Sequence, residues 1–180
     1  SSLNFSLNAF IKISISFGKA ELQYSPVSRP YYCYRVTDKP VVDGDLQDNI
    51  WQRVPWTTGF SPVNWRETYV TNQTGFASCY DNSNIYFAVK CDEMFSERIK
   101  AKTLPKDGDV FQDECIEIFI VTDMEKQRYV QLAINAQGSV FDGLRTDSSW
   151  NGEWKSAVRK TVEGWQIEIS LPFETLGIKE

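Results

Sequence analysis

The chain has 180 residues, 42% of them hydrophobic and 14% aromatic, which is enough to build one domain around a two-layer core. Its formal charge of −5 leaves no basic stripe to follow a phosphate backbone, and this excludes nucleic acid as the expected partner. Histidine is absent, so Ser-His and Cys-His nucleophile pairs, the usual zinc sites and haem ligation through imidazole are excluded with it.

In chain order, residues 10–17 (FIKISISF) alternate apolar with Lys and Ser and read as a strand, too short to insert in a membrane. Residues 45–53 (DLQDNIWQR) place Leu46, Ile50 and Trp51 on one side of a helical turn or two after Gly44. Trp56 and Trp65 bracket a loop-rich stretch, and Asn72-Gln73-Thr74 satisfies a glycosylation sequon. GFASCYD (75–81) and IYFAVKC (85–91) form a predicted antiparallel hairpin, whose turn at Asp81 to Asn84 uses residues tolerant of left-handed conformations. CIEIFIV (115–121), YVQLAIN (129–135) and WQIEISL (165–171) are further strands. PFETLG (172–177) is a short turn with Pro at its start and Gly at its end. Polar loops are expected over 94–112 and 143–155, the second carrying Trp150 and Trp154.

These signals predict an all-β fold, an antiparallel β-sandwich of immunoglobulin or jelly-roll type with short helical turns. No repeat, low-complexity tract or linker divides the chain, so residues 1–180 read as one domain. Cys33, Cys79, Cys91 and Cys115 are even in number and show no CxxC pair, which fits buried thiols or disulfides. Six Trp, eleven Phe and eight Tyr exceed what a small core needs, so some rings are expected at the surface. Trp51 and Trp165 sit in regular apolar patterns and are expected in the core.

Five blocks, KPVVDGDLQDNIW (39–51), DNSNIYFAVKCDE (81–93), FQDECIEIFI (111–120), YVQLAINAQGSVFD (129–142) and GWQIEISLPFETLG (164–177), together resemble the family 9 carbohydrate-binding modules in order and spacing. The resemblance implies a non-catalytic, secreted or cell-surface β-sandwich that binds a polysaccharide or oligosaccharide between two aromatic rings and is attached to glycoside hydrolase domains. It places Phe111 where the family has a stacking tryptophan and Glu117 where it has a carboxylate that takes sugar hydroxyls. Ala133 stands where similar reducing-end binders carry an arginine, so reducing-end specificity is not implied. The family closes with strands after the PFETLG-like turn. Residues 3–26 loosely resemble those strands, as an edge or a permuted closure, with Tyr24 near the second aromatic.

The expected site therefore stacks a sugar on Phe111 and Trp150, with Trp154 and Trp65 as further candidate rings, and hydrogen-bonds it through Glu117, Gln131 or Asn135. Glu117 alternates with Ile116 and Ile118, which turns it away from the apolar face of its strand. Affinity should be modest, because a small open site returns only part of the lost hydroxyl hydration. No cofactor is expected, although Asp43, Asp45 and Asp48, or Asp92 and Glu93, present oxygens of the kind that hold structural Ca²⁺. A glycosidase would need two carboxylates, among Asp107, Asp109, Asp113 and Glu114, facing one cleft about 5 to 10 Å apart. A structural or interaction module would instead bury Phe111 and Trp150.

Overall fold

The structure is a computed structural model that describes residues 9–11, 31–60, 72–123 and 128–178. Trp65, Tyr24 and most of the 3–26 segment lie outside the described residues.

Two sheets stack face to face. One has the strand order β1-β5-β6-β7, built from β1 (Ala9–Ile11), β5 (Cys115–Asp123), β6 (Arg128–Asn135) and β7 (Val140–Leu144). The other has the order β2-β3-β4-β9-β8, from β2 (Tyr34–Arg35), β3 (Thr74–Tyr80), β4 (Asn84–Asp92), β9 (Gly164–Pro172) and β8 (Lys155–Thr161). Strand alternation supplies the core: Ile116, Ile118 and Ile120 of β5 and Val130, Leu132 and Ile134 of β6 meet Phe87 and Val89 of β4 and Ile167, Ile169 and Leu171 of β9. Trp165 lies in this core and Trp51 is buried in a second cluster, as their apolar surroundings imply.

The β-sandwich is antiparallel in its centre, but β1 pairs with β5, and β2 with β3, in parallel. Three strands, β2, β7 and β8, went unread in the sequence, and all three sit at sheet edges. β8 carries Lys155, Arg159 and Lys160, charges that protect an edge from pairing with another chain and erase the apolar signal. β7 runs to Leu144, so the predicted loop from 143 begins two residues too early.

The five-stranded sheet is covered on its outer face as well. Leu46, Ile50, Trp51 and Val54 pack there on Ala77, Cys79, Tyr86 and Ala88. Ile50 and Trp51 lie on α1 (Asn49–Arg53), a helix of about one turn, within the turn or two expected. Val54 precedes Pro55 and adopts an extended conformation (φ −87, ψ 145), which ends the helix. Beneath α1 the fully buried Glu168 accepts hydrogen bonds from Trp51 Nε1 at 2.6 Å, Gly44 N at 2.8 Å and Asp43 N at 3.1 Å. Gln166 Nε2 donates back to Gly44 O at 3.0 Å.

The β3–β4 hairpin forms as predicted, yet none of Asp81 to Asn84 takes a positive φ. The turn is closed instead by the Asp81 carboxylate, whose Oδ1 accepts the Ser83 and Asn84 amides at 2.7 and 2.8 Å. The β8–β9 turn does need its glycine. Gly164 has φ +144, and a Cβ there would stand 2.0 Å from Cys91 O. Gly164→Ala is expected to lower stability by about 2 kcal/mol, read as a fall in the urea unfolding midpoint at unchanged m. An unchanged midpoint would show that the turn tolerates a side chain.

All four cysteines are free; Cys79, Cys91 and Cys115 are buried and Cys33 is half-buried. Burial pushes the Cys79 and Cys115 thiols up to about 12, so neither presents a thiolate at neutral pH. No described helix is long and apolar enough to cross a membrane.

Candidate functional site

Because Ile116, Ile118 and Ile120 point into the core, Glu117 and Phe119 must stand on the outer face of the β1-β5-β6-β7 sheet. The register then decides their neighbours. Glu117 pairs with Ala133 and Ala133 with Phe141, giving one row across three strands. The adjacent row runs Phe119, Gln131, Gly143.

These two rows hold a polar pair among rings. Gln131 Nε2 donates to Glu117 Oε2 at 2.8 Å. Phe111, delivered by a single 3₁₀ turn at Val110–Gln112, meets Phe141 edge to face with ring centroids 5.1 Å apart. Phe119 and Tyr129 form a second pair at 5.8 Å. Phe141 leans over Gly143, since a Cβ on that glycine would lie 3.4 Å from its ring. The four rings are half-buried, whereas Glu117 is 4% exposed and Ala133 is fully buried. Strand spacing sets the backbones of Glu117 and Phe141 about 10 Å apart, with only the methyl of Ala133 between them.

Burial pushes the Glu117 carboxyl above the ordinary glutamate value, and the Gln131 amide draws it partly back. Such a group is a strong acceptor, because little water competes for its oxygens. Flat rings beside a carboxylate and an amide offer the two contacts a pyranose needs: stacking for its C–H faces and acceptors or donors for its hydroxyls.

The structure thus brings Phe111, Glu117 and Gln131 to one face and places the other described candidates elsewhere. Asn135 is fully buried at the end of β6. Its Nδ2 donates to Asp113 Oδ2 and Lys102 O, both at 2.8 Å, while its Oδ1 accepts the Gln137 and Ser139 amides. All its hydrogen-bonding groups are therefore spent on closing the β6–β7 turn. Trp154 donates its indole N–H to Asp142 Oδ2 at 2.7 Å, and Asp142 lies opposite the core residue Leu132. Trp150 and Trp154 both pack against the core between the sheets, so they seal the sandwich rather than join the Glu117 face. Trp65 lies outside the described residues.

Phe119, Tyr129 and Phe141 were missed. Phe119 and Tyr129 each lie two residues from a chosen polar group, and period-two alternation alone would have added both rings to the face. Phe141 follows only from the register of β6 with β7.

The carboxylates are largely committed elsewhere. Asp113 accepts Lys102 N and Asn135 Nδ2, and Asp107 Oδ1 accepts Asp142 N at 3.3 Å. Asp43, Asp45 and Asp48 accept the amides of Asp45, Gln47 and Val41, and Glu93 takes Asn72 Nδ2 and Phe95 N. Among the described residues, no group of three or more Cys, Asp or Glu side chains is placed to hold a metal ion.

The outer face of this sheet thus carries rings around a carboxylate–amide pair. Residues 42–180 match the model of the carbohydrate family 9 binding domain-like family, and the chain belongs to that family. Solved structures with the same fold include a family 9 carbohydrate-binding module from Caldicellulosiruptor kristjanssonii in complex with cellotriose. It is 16% identical, with 78% of this chain and 67% of that chain covered and a TM-score of 0.56. A Bacteroides uniformis protein named for carbohydrate binding is 14% identical, with 82% and 74% covered and a TM-score of 0.60. A family 9 module from C. kristjanssonii in complex with glucose is 14% identical, with 89% and 68% covered and a TM-score of 0.50. No curated protein matches the chain.

Proposed function

We propose that this domain binds a neutral saccharide, without catalysis, on the outer face of the β1-β5-β6-β7 sheet. Glu117 and Gln131 take the sugar hydroxyls while Phe111, Phe141 and Phe119 supply stacking surface. The observation that carries this reading is the Gln131–Glu117 hydrogen bond, a nearly buried polar pair ringed by half-buried aromatic side chains. Similarity to modules solved with cellotriose and glucose favours a β-glucan or glucose-containing ligand.

In this reading the domain holds a secreted or cell-surface protein on its polysaccharide, in company with glycoside hydrolase domains. Ala133 in the middle of the face supplies no donor, so a ligand is gripped from its sides rather than from beneath.

Affinity electrophoresis of the wild type and Phe141→Ala on β-glucan and xylan gels tests the site. Losing a ring of an edge-to-face pair and its contact with sugar should weaken retention about threefold to tenfold. Equal retention of the two proteins would remove Phe141 from the site. A wild type that no glycan retards would leave the domain as a packing module.

A further inference from the structure

The other sheet carries a different kind of cavity. Where β2 ends beside the β3–β4 turn, Arg35, Thr37 and Lys39 face Asp81, Asn82 and Ser83 across a cleft of about 580 Å³ with Val36 in its wall. Asp81 offsets only one of the two cations in this cleft. Its Oδ1 is filled by the Ser83 and Asn84 amides, and its Oδ2 by Tyr86 OH at 2.9 Å and Lys39 Nζ at 3.1 Å. Burial alone would raise its carboxyl, but these donors outweigh burial and hold it at about 2, ionised across the physiological range.

Asp81 therefore acts as a fixed anchor that holds the Lys39 ammonium at the cleft. The Arg35 guanidinium is hydrogen-bonded to the neutral Asn82 Oδ1, and no carboxylate among the described residues pairs with it. Asp38, the nearest acid in sequence, is occupied by Arg53 at 3.0 Å. The cleft thus carries one positive charge in excess on a chain whose formal charge is −5.

We propose that this cleft is a second glycan site, selective for a sugar bearing an anionic group, either a uronic acid carboxylate or a sulfate ester. The planar fork of Arg35 takes two oxygens of such a group at once, and Lys39 adds a point charge beside it. Thr37 and Ser83 hydroxyls and the Asn82 amide are suited to the neighbouring sugar hydroxyls. The volume exceeds that of a free ion and leaves space for a sugar ring. Because the cleft belongs to β2, β3 and β4, it is separate from the Glu117 face and does not depend on it.

Calorimetric titration of the Glu117→Ala variant, in which the first face is disabled, isolates the cleft. The probes are trigalacturonate, its neutral methyl ester, a sulfated trisaccharide and sodium sulfate, all at one ionic strength. At least one charged trisaccharide should bind, the methyl ester should not, and Arg35→Gln should weaken binding by about tenfold or more. Lys39→Gln should weaken it less. Arg35 is exposed, so its replacement should leave the thermal midpoint unchanged. Preference for trigalacturonate identifies a uronate site and preference for the sulfated sugar a sulfate-ester site. Binding of neither, indifference to Arg35→Gln, or sulfate ion binding as tightly as the oligosaccharides would overturn the proposal. A failure of the Glu117 reading would show separately, as loss of nothing on neutral glycans in Glu117→Ala.

Discussion

Glu117→Ala should reduce affinity for a neutral glycan by about tenfold to a hundredfold, the equivalent of one or two hydrogen bonds to a charged acceptor. The size follows from the position of the carboxylate: it is 4% exposed and accepts a hydrogen bond from Gln131 Nε2, so a sugar hydroxyl finds a strong acceptor already stripped of most of its water. Gln131 loses its own acceptor in the variant, which adds to the effect. Glu117→Gln keeps the shape and should fall between the two proteins.

The same carboxyl sets a pH dependence. Its value in the folded chain is raised, mainly by burial, so it protonates above the ordinary glutamate range. Glycan affinity should fall as pH drops through that raised value, because the protonated group gives up acceptor capacity. Its contribution to fold stability runs the other way: the penalty for a buried charge is absent below the unfolded glutamate value and grows as pH rises through the folded one. Glu114 and Glu168 are raised in the same direction by burial, so all three favour the folded state on mild acidification. Titrating affinity and thermal midpoint across this interval should therefore give opposite slopes. Affinity independent of pH there, in the wild type, would place the sugar elsewhere.

Trp51→Ala should cost about 4 kcal/mol, the largest effect on stability expected from any substitution considered for this chain. Trp51 is 1% exposed and fills the space between α1 and the five-stranded sheet, so its removal opens a cavity among Leu46, Ile50, Ala88 and Tyr86. It also deprives the fully buried Glu168 of its closest donor, leaving Gly44 N and Asp43 N to hold the charge. Trp51→Phe retains much of the volume without the N–H, and the difference between the two variants measures the hydrogen bond. Guanidinium unfolding of both, at neutral pH, gives the comparison. A loss below 1 kcal/mol for Trp51→Ala, an order-of-magnitude bound for a surface position, would mean that this segment is not part of the cooperative fold.

What could be read in the residues was what alternation controls. The central strands β3, β4, β5, β6 and β9 were all visible because each carries an unbroken row of core residues, and the outward direction of Glu117 followed from the isoleucines on either side of it. What alternation does not encode is register, and register is what puts Phe141 across Ala133 from Glu117. Asn135 was misread for a related reason. It continues the outward row of β6, but it is the last residue of the strand, and the Ala-Gln-Gly that follows turns its amide to the backbone of the β6–β7 turn. Trp150 and Trp154 were misread because a loop composition says nothing of whether a ring folds back; the buried Asp142 that captures the Trp154 indole lies a strand away. Phe111 and Glu117, which the family resemblance singled out, lie on one sheet face.

The parallel edge strands bear on how the chain is made. Residues 9–11 pair with 116–118, and β4 reaches its second neighbour only when residues 164–172 are present. A ribosome therefore releases the partner of β1 only after more than a hundred further residues have emerged, and the central partner of β4 later still. Until residues 115–144 have emerged, the β3–β4 hairpin exposes Phe76, Phe87 and Val89 with no opposing sheet. Completing both sheets thus depends on pairings between segments far apart in the chain, the kind of topology that folds slowly.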